Sequence, residues 1–119
     1  MSDEERQIAP ERVSELAESG EAQLVDVRLA EEWDAAHIEG ATHIPLDSLS
    51  SRAGEIDRSK QVILYCRSGD RSGGAADAFA ASGWDVTSME GGLVAWVEKG
   101  LPLEPEDGEV VAPSALPPA

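Results

Sequence analysis

The chain of 119 residues is poor in cysteine, lysine, aromatic residues and long apolar runs. Cys66 is its only cysteine, so no disulfide can form within the chain and no metal site that needs two thiolates can be built. No stretch approaches the roughly eighteen apolar residues of a membrane span, and the start MSDEERQIAP lacks the basic and then apolar pattern of a secretory signal. We therefore expect a soluble, cytoplasmic protein whose one thiol works without a resolving cysteine.

Positive charge is scarce as well. The chain has 24 Asp and Glu residues against 9 Lys and Arg residues, a formal net charge of −15, and its only lysines are Lys60 and Lys99. Binding a polyanion requires cationic groups that displace counterions, so neither nucleic acid nor an anionic membrane is an expected partner. An acidic surface is common on well-solvated proteins, but it also suits a high-salt cytoplasm, where repulsion between carboxylates is screened. The composition slightly favours this second, halophilic interpretation.

Short apolar runs predict the strands of a sheet. The runs from Gln23 to Val27 and from Gln61 to Tyr65 are rich in β-branched residues, as is typical of strands covered on both faces. Weaker strands are expected near Arg6, at Thr42 to Ile44 and at Asp85 to Met89. Helical patterns lie between these runs, so the sequence predicts an α/β domain with a mainly parallel sheet of about five strands and helices on both sides.

Three segments have residues that are typical of helix starts or helix ends. The first begins at Pro10 and ends at Gly20, the second is the stretch SGGAADAFAASG that ends at Gly83, and the third runs from Leu93 to Lys99. Residues 1–103 are predicted to form one domain. Residues 104–119 are acidic and proline-rich, and they are predicted to be a disordered tail.

The stretch YCRSGDRSGG contains the thiol and predicts an active site. Cys66 directly follows the most strand-like run, and in open α/β sheets ligands bind beyond the carboxyl ends of the strands. Gly69 permits a tight turn with N–H groups pointing inward, and a helix expected to begin near Arg71 or Ser72 adds the positive end of its dipole. Together with Arg67, these groups would favour thiolate over thiol. A lone cysteine after a strand is more often a small buried apolar residue, but the arginines and the glycine turn favour a nucleophile.

A loop from cysteine to arginine at the end of a central strand resembles two families. These are the rhodanese-type sulfurtransferases and the protein phosphatases with a cysteine-containing phosphate loop. The phosphatases place five residues between the two, whereas here Cys66 and Arg71 are separated by four, namely Arg67, Ser68, Gly69 and Asp70. The shorter spacing is similar to the rhodanese pattern, in which the loop fits the outer sulfur of a persulfide.

Three further stretches resemble the same family. LVDVR, from Leu24 to Arg28, is followed by EEW and by HIEGATHIPL, from His37 to Leu46, and MEGGLVAW runs from Met89 to Trp96. Their order and spacing around CRSGDRS resemble the single-domain rhodaneses over roughly residues 6 to 103. The resemblance implies a three-layer, rhodanese-like α/β/α domain.

The resemblance also implies a reaction in two steps. The Cys66 thiolate would take the outer sulfur of thiosulfate, release sulfite and hold a persulfide, which cyanide or a thiol would then discharge. The N–H groups of Arg67, Ser68, Gly69, Asp70, Arg71 and Ser72 would surround the charged sulfur. Asp26 and Arg28 would support the neighbouring strand end, with Arg28 the weaker candidate for contact with the donor. No metal and no organic cofactor is implied.

Some features leave alternatives open. Asp70 puts a carboxylate into a loop meant to bind anions, which is a departure that would weaken donor binding. His37 and His43 are interpreted as structural residues of a turn and a strand. The alternatives to a thiosulfate sulfurtransferase are a persulfide carrier that delivers sulfur to a protein acceptor, an arsenate or phosphate enzyme, and a non-catalytic binding module. The four-residue spacing disfavours the phosphate enzyme, and the presence of both Cys66 and Arg71 disfavours the binding module.

Overall fold

The computed structural model describes residues 7–57, 59–81, 83–105 and 108–110, and the side chains of Asp70 and Arg71 lie outside this description. The strands of this part are β1 (Gln7–Ile8), β2 (Ala22–Asp26), β3 (Thr42–His43), β4 (Gln61–Tyr65) and β5 (Val86–Met89). The α-helices are α1 (Pro10–Ser19), α2 (Ala30–Ala35), α3 (Asp70–Ala81) and α4 (Gly92–Glu98), and two short 3-10 turns span Leu46–Ser48 and Ala53–Glu55.

The five strands form one parallel sheet in the order β1-β5-β4-β2-β3. The central strand is β4, which pairs with β2 on one side and with β5 on the other. Asp26 lies opposite Tyr65, and Leu64 lies opposite Ser88, so the carboxyl ends of these three strands meet at one edge of the sheet. The predicted α/β class, with a mainly parallel sheet of five strands, is confirmed.

Two apolar cores cover the two faces of the sheet, and alternation along β4 assigns its side chains to them. Ile63 and Tyr65 pack into the core that includes residues of α1 and α4. Leu64 and Cys66 pack into the other core, which also contains Ala76 of α3. Side chains of a strand point alternately to opposite faces, so the residue after β4 is directed toward α3. The domain therefore has three layers, and the thiol lies on the α3 side.

The helix ends follow from local chemistry. Pro10 is the first residue of α1, where its missing N–H costs nothing, and Gly20 ends the helix with φ at +80°. The sequence did not predict α2, which has only six residues. Its start is stabilised by Glu32, whose buried carboxylate accepts a 3.1 Å hydrogen bond from the N–H of Leu29.

The described part of the predicted tail is attached to the domain. Glu104 and His37 exchange two backbone hydrogen bonds, of 2.8 and 3.1 Å, and Val110 packs against the core on the α1 side. Residues 111–119 lie outside the described residues, so the predicted disorder of the tail and the domain boundary after residue 103 stay predictions. Among the described residues, no helix is long and apolar enough to span a membrane.

Candidate active site

Cys66 lies at the carboxyl edge of the sheet, immediately after the central strand β4 and four residues before the start of α3. The residue is 1% exposed. Its Sγ accepts hydrogen bonds from the N–H of Gly69 at 3.0 Å, the N–H of Ser72 at 3.4 Å and the hydroxyl of Ser72 at 3.5 Å. Three donors around one sulfur stabilise negative charge on it, because each directs a partial positive charge at the same atom.

Gly69 shapes the turn that carries the first of these donors. Its φ is +101°, a conformation that L-residues with a side chain rarely adopt. α3 then begins at Asp70, slightly earlier than the predicted start near Arg71 or Ser72. Ser72 is therefore in the first turn of the helix, where backbone N–H groups have no partner within the helix and are available to the sulfur.

The start of α4 holds the other side of the loop. The N–H of Leu93 donates to the carbonyl oxygen of Cys66 at 2.8 Å, and the N–H of Val94 donates to that of Arg67 at 3.0 Å. A Cβ on Gly92 would lie 2.6 Å from both of these oxygens, and the φ of Gly92 is +60°. The structure shows that Gly92 allows α4 to approach the two carbonyl groups that follow β4.

A second buried hydroxyl, that of Ser88, contacts the hydroxyl of Ser72. The Oγ of Ser88, on β5, lies 2.7 Å from the Oγ of Ser72, and the two residues are 1% and 0% exposed. The sequence analysis missed Ser88. The available signal was a polar residue within the otherwise strand-like stretch VTSM, on the strand that neighbours β4.

The other predicted loop residues have different surroundings. Arg67 is half-buried and its Nε has no hydrogen-bond partner among the described residues, whereas Ser68 is exposed. The backbones of Asp70 and Arg71 begin α3, but their side chains lie outside the described residues, so the expected effects of their charges stay predictions. Within the described ranges, no group of three or more His, Cys, Asp or Glu residues could hold a metal ion.

Asp26 and Arg28 form a buried ion pair beside the loop. Both residues are 0% exposed, and Nε and Nη2 of Arg28 donate to the Asp26 carboxylate at 2.8 to 3.0 Å. Nη2 also donates to the carbonyl oxygen of Ala36, which ties the pair to the end of α2. Arg28 is fully buried in this arrangement, and its predicted contact with the donor stays a prediction.

Tyr65 completes the buried polar group around Asp26, on the face of the sheet opposite Cys66. Its hydroxyl accepts a 3.0 Å hydrogen bond from the N–H of Ile38, and the guanidinium carbon of Arg28 lies 5.8 Å from the centre of its ring. Burial raises the pKa of Tyr65 far above its ordinary value, and the negative charge of Asp26 raises this pKa further. The phenol is therefore neutral at physiological pH, and it acts as a fixed support for the segment after α2.

The two histidines both stack on Trp33. The ring of His37 stacks on Trp33 with centroids 3.6 Å apart, and the ring of His43 lies on Trp33 with centroids 4.9 Å apart. His37 Nδ1 is 2.9 Å from the carbonyl oxygen of Trp33, and His43 Nε2 is 2.8 Å from that of Arg28. These contacts support the interpretation of both histidines as structural residues.

Comparison with known proteins assigns the chain to a family. The rhodanese-like domain family matches residues 9–99. A thiosulfate sulfurtransferase, GlpE, of Pseudomonas aeruginosa is 36% identical over 110 residues, which cover 92% of this chain and 98% of that protein. A probable adenylyltransferase/sulfurtransferase, MoeZ, of Mycobacterium tuberculosis is 35% identical over 80% of this chain, but the matched region is only 25% of that protein.

Solved structures agree with this assignment. The crystal structure of a rhodanese-related protein from Thermoplasma volcanium has a TM-score of 0.77 and 26% identity, and the match covers 82% of this chain and 96% of that one. That of a rhodanese-like domain protein from Staphylococcus aureus has a TM-score of 0.72 and 28% identity, with 90% and 99% covered. The chain belongs to the rhodanese-like domain family, and the resemblance inferred from its motifs is confirmed.

Proposed function

We propose that the protein is a sulfurtransferase that moves a sulfane sulfur from thiosulfate, or a related donor, to a thiophilic acceptor through a persulfide on Cys66. The observation that carries this proposal is the ring of donors around Sγ, formed by the N–H groups of Gly69 and Ser72 and the hydroxyl of Ser72. The 36% identity to a thiosulfate sulfurtransferase over 98% of that protein supports the same reaction class.

The first step forms the persulfide. The Cys66 thiolate attacks the outer sulfur of thiosulfate, a new S–S bond forms, and the S–S bond of thiosulfate breaks with its electron pair leaving on sulfite. The attacking group must be anionic, and the donors at 3.0 to 3.5 Å from Sγ stabilise that form. Arg67, the residue after Cys66, attracts the doubly negative donor against the net charge of −15.

The second step returns the thiolate. The carbon of cyanide, or the sulfur of a thiol, attacks the outer sulfur of the persulfide, and the electron pair of the broken S–S bond returns to Cys66. The same donors that stabilise the attacking thiolate stabilise the leaving thiolate, so one arrangement serves both steps. Because Cys66 is the only cysteine of the chain, no thiol of the same chain discharges the persulfide first.

The test is the formation of thiocyanate from thiosulfate and cyanide by the purified protein. We expect turnover by the wild type and none above the uncatalysed rate by Cys66→Ser, which keeps the size of the side chain but replaces the soft nucleophile. Sulfur loading of Cys66 without thiocyanate would identify a persulfide carrier that needs a protein acceptor. Absence of both loading and turnover, or a Cys66→Ser variant as active as the wild type, would reject the proposal.

A further inference from the structure

Two buried hydroxyl groups form a chain of hydrogen-bond contacts from strand β5 to the sulfur of Cys66. Ser72 Oγ lies 3.5 Å from Sγ, and Ser88 Oγ lies 2.7 Å from Ser72 Oγ. Ser88 is 1% exposed and is fixed in the sheet opposite Leu64, two residues before Cys66. A hydrogen bond of ordinary length between two buried hydroxyls holds both groups in place, because neither can exchange its partner for water.

The charge on sulfur determines which way this pair is oriented. Each serine hydroxyl has one hydrogen to donate, and a thiolate can only accept. If the hydrogen of Ser72 pointed to Ser88, the oxygen lone pairs of Ser72 would face the anionic sulfur at 3.5 Å. The carbonyl oxygen of Gly69, 3.4 Å from Ser72 Oγ, competes for the same hydrogen. With sulfur charged, the arrangement in which Ser88 donates to Ser72 and Ser72 donates to Cys66 places that hydrogen at the full negative charge. Donation into Ser72 also polarises its hydroxyl and strengthens the bond that it gives to sulfur.

We propose that Ser88 is a positioning residue of the active site. It acts through Ser72, by donating a hydrogen bond that directs the hydrogen of Ser72 at Cys66 Sγ and so stabilises the charged sulfur. No atom is transferred, since only the two hydroxyl hydrogens change direction. The inference deepens the proposed function, and its predicted effect on turnover rests on that function. The stabilisation of charged Sγ can be tested separately, because the charged sulfur is also the form that reacts with simple alkylating agents.

Thr87 offers a matched control on the same strand. It precedes Ser88 on β5, and its Oγ1 is buried without a hydrogen-bond partner among the described residues. Thr87→Val therefore removes a buried hydroxyl from β5 at nearly constant volume without touching Ser72. Ser88→Ala removes a hydroxyl that does contact Ser72, so the difference between the two variants isolates the 2.7 Å contact.

The experiment measures the rate of alkylation of Cys66 by iodoacetamide as a function of pH. The chain has one cysteine, so the reaction reports on a single site without a competing thiol. We expect Ser88→Ala to lower the rate at neutral pH by roughly threefold to tenfold, the size expected for weakening one hydrogen bond to a charged group. At alkaline pH the difference between the variants should shrink. Thr87→Val should follow the wild-type profile.

A double-mutant cycle separates action through Ser72 from a general loosening of the sheet. In a Ser72→Ala background the receiving hydroxyl is absent, so adding Ser88→Ala should change the alkylation profile by less than about twofold. An undiminished effect of Ser88→Ala in that background would overturn the proposal. A profile of Ser88→Ala equal to that of Thr87→Val would overturn it as well.

Two further variants decide the matter if Ser88→Ala does not fold. Ser88→Thr keeps the hydroxyl, and Ser88→Val introduces a side chain of nearly the same shape as threonine but without the hydroxyl. The proposal predicts an alkylation profile close to wild type for Ser88→Thr and a lower alkylation rate at neutral pH for Ser88→Val. Equal profiles would contradict it. Alkylation needs no sulfur donor. A wild type with neither sulfur loading nor thiosulfate turnover would therefore reject the proposed function, while these profiles would still decide the role of Ser88.

Discussion

The N–H of Leu93 donates a 2.8 Å hydrogen bond to the carbonyl oxygen of Cys66, and Val94 does the same for Arg67 at 3.0 Å. The nucleophile is thus held from both sides. Ser72, at the start of α3, donates to its sulfur, while the start of α4 fixes its carbonyl group. The two carbonyl oxygens bound by α4 belong to the first two residues after β4, so α4 fixes the start of the loop that carries Gly69.

Replacing Gly92 by alanine should disrupt this arrangement. The added Cβ would lie 2.6 Å from the carbonyl oxygens of Cys66 and Arg67, so α4 must move away or the loop must change shape. We expect Gly92→Ala to lose most of its rate of sulfur loading.

Gly100→Ala is the control, because Gly100 also has positive φ, +75°, but a Cβ there would meet nothing within 4 Å. Both variants should lose about 1 kcal/mol of stability from backbone strain, but only Gly92→Ala should lose the reaction. Equal loading rates in the two variants would show that the approach of α4 is unimportant.

Removing the charge of Asp26 should destabilise the domain. Asp26→Asn leaves the fully buried guanidinium of Arg28 without its carboxylate, and breaking such a pair on one side costs about 3 to 5 kcal/mol. Urea unfolding followed by tryptophan fluorescence measures this loss. Glu55→Gln is the control, because the ion pair of Glu55 with Arg52 is exposed and its removal should leave the unfolding midpoint unchanged. Similar midpoints for Asp26→Asn and Glu55→Gln would contradict the assigned role of the buried pair.

Alkaline pH should unfold the protein through Tyr65. Its pKa is raised in the folded state by burial and by the charge of Asp26, whereas in the unfolded chain it is about 10. The stabilisation is therefore fully present below pH about 10 and is lost as the pH rises above it, by about 1.4 kcal/mol per pH unit.

Tyr65 is the only tyrosine, so phenolate absorbance reports on it alone. This absorbance should appear only together with unfolding. Tyr65→Phe should be less stable at neutral pH, because the N–H of Ile38 loses its acceptor, but its stability should fall less steeply above pH 10. Phenolate formation while the fold is intact would show that the phenol is not held neutral.

High salt should stabilise the protein. Repulsion within a surface of net charge −15 is screened as the Debye length falls to about 3 Å at 1 M salt. We expect the melting temperature to rise steadily from low to molar KCl, and thiosulfate turnover at low salt to rise over the same range because the anionic donor is repelled less. A melting temperature that stayed constant or fell would remove the support for a high-salt origin.

The sequence predicts the parts of the fold that depend on strong local patterns. The apolar run from Gln61 to Tyr65 predicts the central strand and places Cys66 at its carboxyl end, and the helix signals at Pro10 and Gly20 match the ends of α1. Helix α2 could not be predicted in the same way. It has only six residues, too few for a periodic apolar pattern, and its end is held by a hydrogen bond from the buried Arg28 side chain to the carbonyl oxygen of Ala36.

In the site, the residues close to Cys66 in sequence could be predicted, and those brought to it by strand pairing could not. Gly69 and Ser72 follow Cys66 closely in sequence, so their place beside the sulfur follows from the loop itself. Ser88 lies 16 residues beyond Ser72 and meets it only because β5 pairs with β4. Arg28 is fully buried with hydrogen bonds to Asp26 and Ala36, which the spacing of these residues in the sequence does not reveal. The contributions of the Asp70 and Arg71 side chains stay predictions.

The most direct test of the proposed mechanism is the intact mass of the protein after incubation with thiosulfate, followed by peptide mapping. The proposal predicts a gain of one sulfur atom per chain, located on the peptide that contains Cys66 and removed by cyanide with release of thiocyanate. The Cys66→Ser variant should gain nothing. An unchanged mass of the wild type, or a sulfur atom that remains after cyanide, would contradict the mechanism.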